Sequence, residues 1–275
     1  MEKYLISIDL DDTLLTKKKK IPLLTRLGIR RLFHNGHHVI LNSGRPYSGM
    51  LEYVKKLKLY NYPIIASNGG AIYYINKKLD LVKTISFGSD KEILKSLFNE
   101  IKPYLHFASI METSKQYYYN ISNVPKWMFH HFEKFIEVET EDFTFENDII
   151  LSSFSIKTKD LDKVKKIFEK KKYKNLILHS WGSENDYSYF DVQNISTNKG
   201  TTMLYLAKKL RIKEKNIIAF GDELNDVEML KIIKNGYLMP RGERLAVQHS
   251  LPLIDQDSDH NGVIKFLFKN FKHLF

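Results

Sequence analysis

Short apolar runs that stop in small polar residues recur along the first quarter of this chain. Tyr4–Leu10 runs into Asp9-Leu10-Asp11-Asp12-Thr13-Leu14, His38–Leu41 into Asn42-Ser43-Gly44-Arg45-Pro46, and Pro63–Ala66 into Ser67-Asn68-Gly69-Gly70. Helical patterns separate them: Pro22–Phe33, with Leu23, Leu24 and Leu27 on one face and Asn35-Gly36 as its stop, and a second from about Tyr47 to Leu57. Alternation of this kind predicts a parallel sheet with crossover helices. In open parallel sheets the loops at the carboxyl ends of the strands gather at one edge and form the site.

The middle of the chain reads differently. Ile72, Tyr74, Leu79 and Leu81 around Asn76-Lys77-Lys78 predict a hairpin. An irregular, aromatic-rich stretch follows, with helices over Asp90–Ile101 and Asp160–Lys171 and strands near Ile150–Ile156, Leu176–His179 and Tyr187–Val192. Such spacing lacks crossover regularity and predicts a separate α+β insertion over 84–188. The parallel pattern then returns, with a helix over Lys199–Leu210, a strand over Asn216–Phe220 ending in Gly221-Asp222-Glu223-Leu224-Asn225-Asp226, a helix over Val227–Ile233, a strand over Gly236–Met239 and a last helical segment over Gly262–Phe271. The core is thus expected to be discontinuous, 1–83 with 189–275.

At 275 residues, 43% of them hydrophobic, the chain has ample material for a core. It has no cysteine, which excludes disulfides, thiolate metal sites and a cysteine nucleophile. No apolar run approaches the ~20 residues of a membrane span. The first strand, between Glu2 and Asp9, does not read as a signal peptide, so a cytoplasmic protein is the expectation. Forty-three basic against 32 acidic residues leave a net charge of +11. Its densest runs, Lys17–Lys20 and Lys170–Lys172, read as solvated surface, although a positive field draws anionic substrates.

Asp9, Asp11 and Asp12 are three carboxylates at the end of one apolar run. Like charges so close repel, so they either hold a cation or supply a nucleophile, unless they serve only as caps and turn formers. The odd spacing of Asp9, Asp11 and Thr13 suggests a calcium loop, but Leu14 stands where its turn glycine belongs and Lys20 where its bidentate glutamate belongs. A second acidic cluster, Asp222 with Asp226, also follows a predicted strand. Thr13 reads as a loop brace. His37-His38 and His130-His131 could suggest zinc, but neighbours on a strand face opposite sides. Tyr117-Tyr118-Tyr119, Trp127 and Trp181 could stack on a sugar or ring, although packing is the commoner use.

Taken in order and with their neighbours, Asp9/Asp11, Ser43, Lys199 and Asp222/Asn225/Asp226 resemble the four motifs of the haloacid dehalogenase superfamily of phosphatases, in its Cof-type branch of sugar-phosphate phosphatases. The similarity extends over Ser67–Gly70, Asp191–Gly200, Asn225–Leu230 and Asn261-Gly262-Val263. It implies an α/β fold, a Rossmann-like parallel-sheet core with an inserted α+β cap domain. It also implies Mg²⁺-dependent hydrolysis of a small phosphomonoester, a sugar phosphate, through an aspartyl-phosphate. Asp9 would be the nucleophile, and Asp11 general acid and then base. Residues two apart on a strand share a side, about 6.5–7 Å apart, so both could face one substrate. By the same resemblance, Asp9 and Asp222 would give carboxylate oxygens to Mg²⁺, Asp11 its backbone carbonyl, and Asp226 would orient waters or ligands. Lys199 would neutralise the phosphoryl group and restrain Asp9. Ser43 and the backbone at Gly44 would donate to phosphoryl oxygens, Arg45 would reach phosphate or leaving group, and Asn225 would position Asp226, metal or phosphate.

Two positions depart from the pattern. Asp12 stands where the family has glycine, and Pro240-Arg241 replace small residues. The expected partner is a small phosphorylated molecule, not a membrane. Two rivals remain: a phosphotransferase or sugar phosphomutase using the same aspartate, and a non-catalytic nucleic-acid- or phosphate-binding protein suggested by the charge. Intact acids in both clusters argue against the second.

Overall fold

The computed structural model describes residues 2–113, 115–125, 135–138 and 145–275. The chain divides into two compact units, Met1–Thr84 with Asn198–Phe275, and Ile85–Thr197. In the first unit β1 (Leu5–Ile8), β2 (His38–Leu41), β12 (Ile217–Gly221) and β13 (Asn235–Leu238) form a parallel sheet in the order β13-β12-β1-β2. Its central strands are buried on both faces, which explains why Leu5-Ile6-Ser7-Ile8 and Ile217-Ile218-Ala219-Phe220-Gly221 show no alternation of apolar with charged residues. Strand β3 (Pro63–Ala66) continues the line beside β2 through the Asn42–Ile65 bridge, and the hairpin of β4 (Ala71–Ile75) and β5 (Leu81–Ser86) follows it. From β1 the chain builds outward through β2 to β3, then returns to lay β12 against the other side of β1. The order therefore reverses between β1 and β12, and a crevice opens there at the carboxyl ends.

Strand β1 is shorter than expected. It ends at Ile8, and a wide helical turn over Leu10–Leu14 follows, closed by the Leu14 N–H donating to the Asp9 carbonyl (3.2 Å). Helix α1 (Leu23–His34) buries Thr25, Ile29 and Leu32, and Gly28 presses on Ile264 of α8 (Gly262–Asn270). Leu23, Leu24 and Leu27, which were expected to form its apolar face, lie on the opposite side and are exposed. Helix α2 covers Leu51–Leu57.

The second unit carries a six-stranded sheet in the order β10 (Leu176–Glu184), β11 (Tyr187–Asn194), β9 (Leu151–Lys157), β6 (Leu105–Met111), β7 (Gln116–Tyr119), β8 (Phe135–Glu137), antiparallel except for the parallel β7–β8 pair. Helix α3 (Lys91–Ile101), capped by the Asp90 carboxylate, packs Leu94, Leu97 and Phe98 with Val164 of α4 (Leu161–Phe168) and with Phe154 and Phe190 of the sheet. Strands β6 (Leu105–Met111) and β7 (Gln116–Tyr119) fall in the stretch read as irregular; β6 is buried on both sides, so no alternation marks it. Pairing of β11 (Tyr187–Asn194) with β9 (Leu151–Lys157) and β10 (Leu176–Glu184) keeps those residues in the second unit, and the chain returns to the first at Asn198 rather than at 189. Tyr117 and Tyr118 are buried and Trp181 is half exposed, whereas Trp127, His130 and His131 lie outside the described residues. His37 is buried and accepts from the Tyr4 N–H, and His38 bonds to the Tyr62 hydroxyl; among the described residues neither falls in a group of three or more possible metal ligands. Among the described residues no helix is long and apolar enough to cross a membrane.

Candidate active site

Both sides of the β1/β12 crevice end in acids. Asp9 leaves β1 with its N–H bonded to the Phe220 carbonyl, and Asp222 follows β12. Asp226 opens α6 (Val227–Ile232) and is fully buried. One carboxylate oxygen each from Asp9, Asp222 and Asp226 lies within 4.8 Å of the others. Lys199 enters from the first turn of α5 (Lys199–Lys209), whose start is held by Asn198: its Oδ1 accepts from the N–H groups of Gly200 and Thr201, while Thr201 Oγ1 accepts from the Asn198 N–H. The ammonium, only 1% exposed, donates to Asp9 Oδ1 and Asp226 Oδ1, both at 2.7 Å.

These contacts assign separate tasks to the acids. Asp226 spends Oδ1 on Lys199, and its Oδ2 accepts from the N–H groups of Asp222 (3.1 Å) and Glu223 (3.2 Å), so it organises the loop that presents Asp222. Gly221 is required here, because a Cβ on it would lie 2.3 Å from Asp226 Cγ. Thr13 Oγ1 donates to Asp222 Oδ1 (3.0 Å), the bracing role expected of it.

The electrostatics are those of a site short of positive charge. Burial, reinforced by the charges of Asp9 and Asp226, pushes the Asp222 carboxyl up to about 8. Burial likewise pushes Asp9 up, to about 7, against the pull of Lys199. For Lys199 burial works the other way, but Asp226 and Asp9 outweigh it and hold the ammonium above its ordinary range. Lys199 therefore stays charged, and one cation serves three buried acids. A hard divalent cation such as Mg²⁺ fits this all-oxygen donor set and would restore the ionised form of Asp9 and Asp222.

Asp11 lies outside that trio. Since β1 ends at Ile8, Asp11 sits in the turn, not on the strand, and strand alternation does not place it beside Asp9. It receives Arg45 Nε (2.7 Å) and Nη2 (2.8 Å) in a two-pronged pair, and Lys19 Nζ at 2.6 Å. Burial alone would raise its carboxyl, but Arg45 and Lys19 win and hold it at about 2. The lysine run is exposed, as expected, and Lys19 within it also pairs with Asp11; within four consecutive lysines no signal singled it out. A third group joins the loops after β2 and β3: the Ser43 carbonyl accepts from the Asn68 N–H, Asn225 Nδ2 donates to Asn68 Oδ1 (2.9 Å), and Gly44 leaves no room for a side chain against Asn68. Ser43 is buried, with its Oγ accepting from the Arg45 N–H. Behind it Asn42, which the sequence reading passed over, donates to Ser7 Oγ and to the Lys199 carbonyl, both at 3.1 Å, and so ties β2 to β1 and α5.

A parallel sheet whose switch point carries a buried Asp–Lys–Asp cluster has its candidate site at the carboxyl ends of β1 and β12, where open α/β sheets bind ligands. A sequence profile of haloacid dehalogenase-like hydrolases matches residues 6–267, and the chain belongs to that family. It is 30% identical over 261 residues to a protein of Buchnera aphidicola subsp. Baizongia pistaciae provisionally named a phosphatase, covering 92% of this chain and 91% of that one. It is 25% identical to the 5-amino-6-(5-phospho-D-ribitylamino)uracil phosphatase YitU of Bacillus subtilis, over 98% of this chain and 97% of the relative. Its fold is that of a haloacid dehalogenase-like hydrolase from Bacteroides thetaiotaomicron (TM-score 0.74, 20% identity, 98% and 99% of the two chains). The subclass IIB sugar phosphatase BT4131 shares the fold as well (TM-score 0.73, 18% identity, the whole of both chains).

Proposed function

We propose that this chain is a Mg²⁺-dependent phosphatase that hydrolyses a small phosphomonoester through a phosphorylated Asp9. The observation that carries this reading is the buried Lys199 bridge between Asp9 and Asp226, with Asp222 beside them. Asp9 and Asp222 would hold the cation through carboxylate oxygens and Asp11 through its backbone carbonyl, with Asp226 orienting the set. Bound there, Mg²⁺ would offset the carboxylate charge and polarise a phosphoryl oxygen.

An oxygen of Asp9 attacks phosphorus, and the bond from phosphorus to the leaving oxygen breaks. Lys199 restrains the nucleophile and neutralises phosphoryl charge, while Ser43 and the Gly44 backbone donate to phosphoryl oxygens. Asp11 delivers the proton to the leaving oxygen, then takes one from the water that opens the aspartyl-phosphate. Held ionised by Arg45 and Lys19, Asp11 stands in its base form, and acting as acid requires it to leave those two cations and take up a proton from solvent before giving it to the leaving oxygen. Arg45, once released, is in reach of the phosphate or the leaving group, and Asn225 steadies the Ser43–Gly44 loop through Asn68. A sugar or sugar-alcohol phosphate is the substrate class we favour, supported by the ribitylaminouracil phosphatases among the relatives and the sugar phosphatase among the solved structures.

Asp9→Asn should keep the fold and lower Mg²⁺-dependent turnover of 4-nitrophenyl phosphate by on the order of 10⁴ or more. Unchanged phosphate release would remove Asp9 from the nucleophile's role. With hexose phosphates, free phosphate is the expected product; isomerised phosphate without it would identify a mutase.

A further inference from the structure

Two charged residues at the mouth of the acid cluster meet without belonging to it. Asp12 has a φ of 54°, in the left-handed region that costs a side-chain-bearing residue more than glycine. Its carboxylate is paired with the Arg241 guanidinium, 229 positions away. Arg241 lies in the tight turn Pro240–Gly242 after β13, and that turn packs closely on the loop of Asp222: just before it the Met239 N–H extends the β12–β13 ladder by donating to the Gly221 carbonyl (2.9 Å), and a Cβ on Gly242 would come within 3.0 Å of the Asp222 carbonyl oxygen. Next to Asp12, Thr13 grips Asp222 directly.

We propose that Asp12 and Arg241 are a positioning pair for the cation site. The φ of Asp12, together with the ψ of Asp11, sets the plane of the peptide between them and so the direction of the Asp11 carbonyl. Anchoring Asp12 to a turn that rides on the Asp222 loop fixes that carbonyl relative to the Asp222 carboxylate. The guanidinium also cancels the charge that Asp12 adds beside Asp9 and Asp11. The inference rests on the cation reading of the site proposed above.

The test is calorimetric titration of the full-length protein with Mg²⁺ alone, without substrate, comparing wild type, Arg241→Gln and the double variant Asp12→Gly/Arg241→Gln. Simple electrostatics predicts that deleting a positive charge near a cation site tightens Mg²⁺ binding. A positioning role predicts the opposite, binding weakened about three- to fivefold in Arg241→Gln, the scale of one exposed ion pair. In the double variant the unpaired carboxylate is gone and glycine accepts the backbone angle, so binding should be no weaker than in Arg241→Gln. Unchanged or tighter binding in Arg241→Gln overturns the pair, as does a double variant weaker than the single one. A wild type that takes up no Mg²⁺ overturns the pair together with the cation reading beneath it. A wild type that binds and an Arg241→Gln variant that binds equally overturn the pair alone.

Discussion

Asp191 on β11 accepts from Ser153 Oγ at 2.6 Å and from Trp181, yet burial pushes its carboxyl from 3.8 to about 7. A carboxyl kept neutral in the fold but ionised in the unfolded chain makes its full contribution to stability below about pH 4, loses it as pH rises to about 7, and changes no further above that. That interval is worth on the order of 4 kcal/mol at 1.36 kcal/mol per pH unit. Asp191→Asn should therefore raise the Tm relative to wild type at pH 8 and lose most of the advantage by pH 4, read by thermal unfolding across pH; the same gap at both ends would refute it. Lys199→Met leaves Asp9 and Asp226 buried without their shared cation, at a cost of roughly 3–5 kcal/mol. A lowered urea midpoint together with lost turnover is expected, and a variant as stable as its parent would count against the bridge. Lys199 was legible in the sequence because it opens a helix in order with the acids. Lys19 was not, since its neighbours are lysines too and only the folded turn brings one of them to Asp11.

At the scale of elements, the position of Lys199 depends on how closely α5 lies on α6. Gly200 permits it: a Cβ there would stand 2.4 Å from Ile232 Cδ1 and 2.8 Å from Met229 Cα. A side-chain tip can turn aside, but a backbone atom cannot. Gly200→Ala should cost about 1–3 kcal/mol in urea unfolding, the range for overpacking, and reduce activity by displacing the residue before it. Element boundaries were readable wherever a cap or a glycine marked them, as at Asp90 and Asn198. Sidedness was less so. The leucines of α1 repeat at helical spacing, yet Gly28 faces α8 and turns Leu23, Leu24 and Leu27 outward, a choice made by the neighbouring helix and not by periodicity.

On the scale of the whole chain, 85–197 has its own core and its two ends are tied together. Thr197 Oγ1 donates to the Phe87 carbonyl (2.9 Å) and Asn194 Nδ2 to the Gly88 carbonyl (3.3 Å). Close termini are what an inserted domain needs to leave its host uninterrupted. Expressed alone, 85–197 should fold, with far-UV circular dichroism of mixed α/β content and one cooperative urea transition; a non-cooperative baseline would show that it needs its host. Much of this protein was already present in the linear chain: parallel crossover order, an inserted unit, and acids and a lysine at strand and helix ends. Those are local signals, carried by runs, caps and spacing. The Asp11–Arg45–Lys19 cluster, the Asp12–Arg241 pair and the outward leucines appear only when distant segments are brought together. Contacts across 34 or 229 positions depend on which loops the sheet order makes neighbours, and no local pattern encodes that.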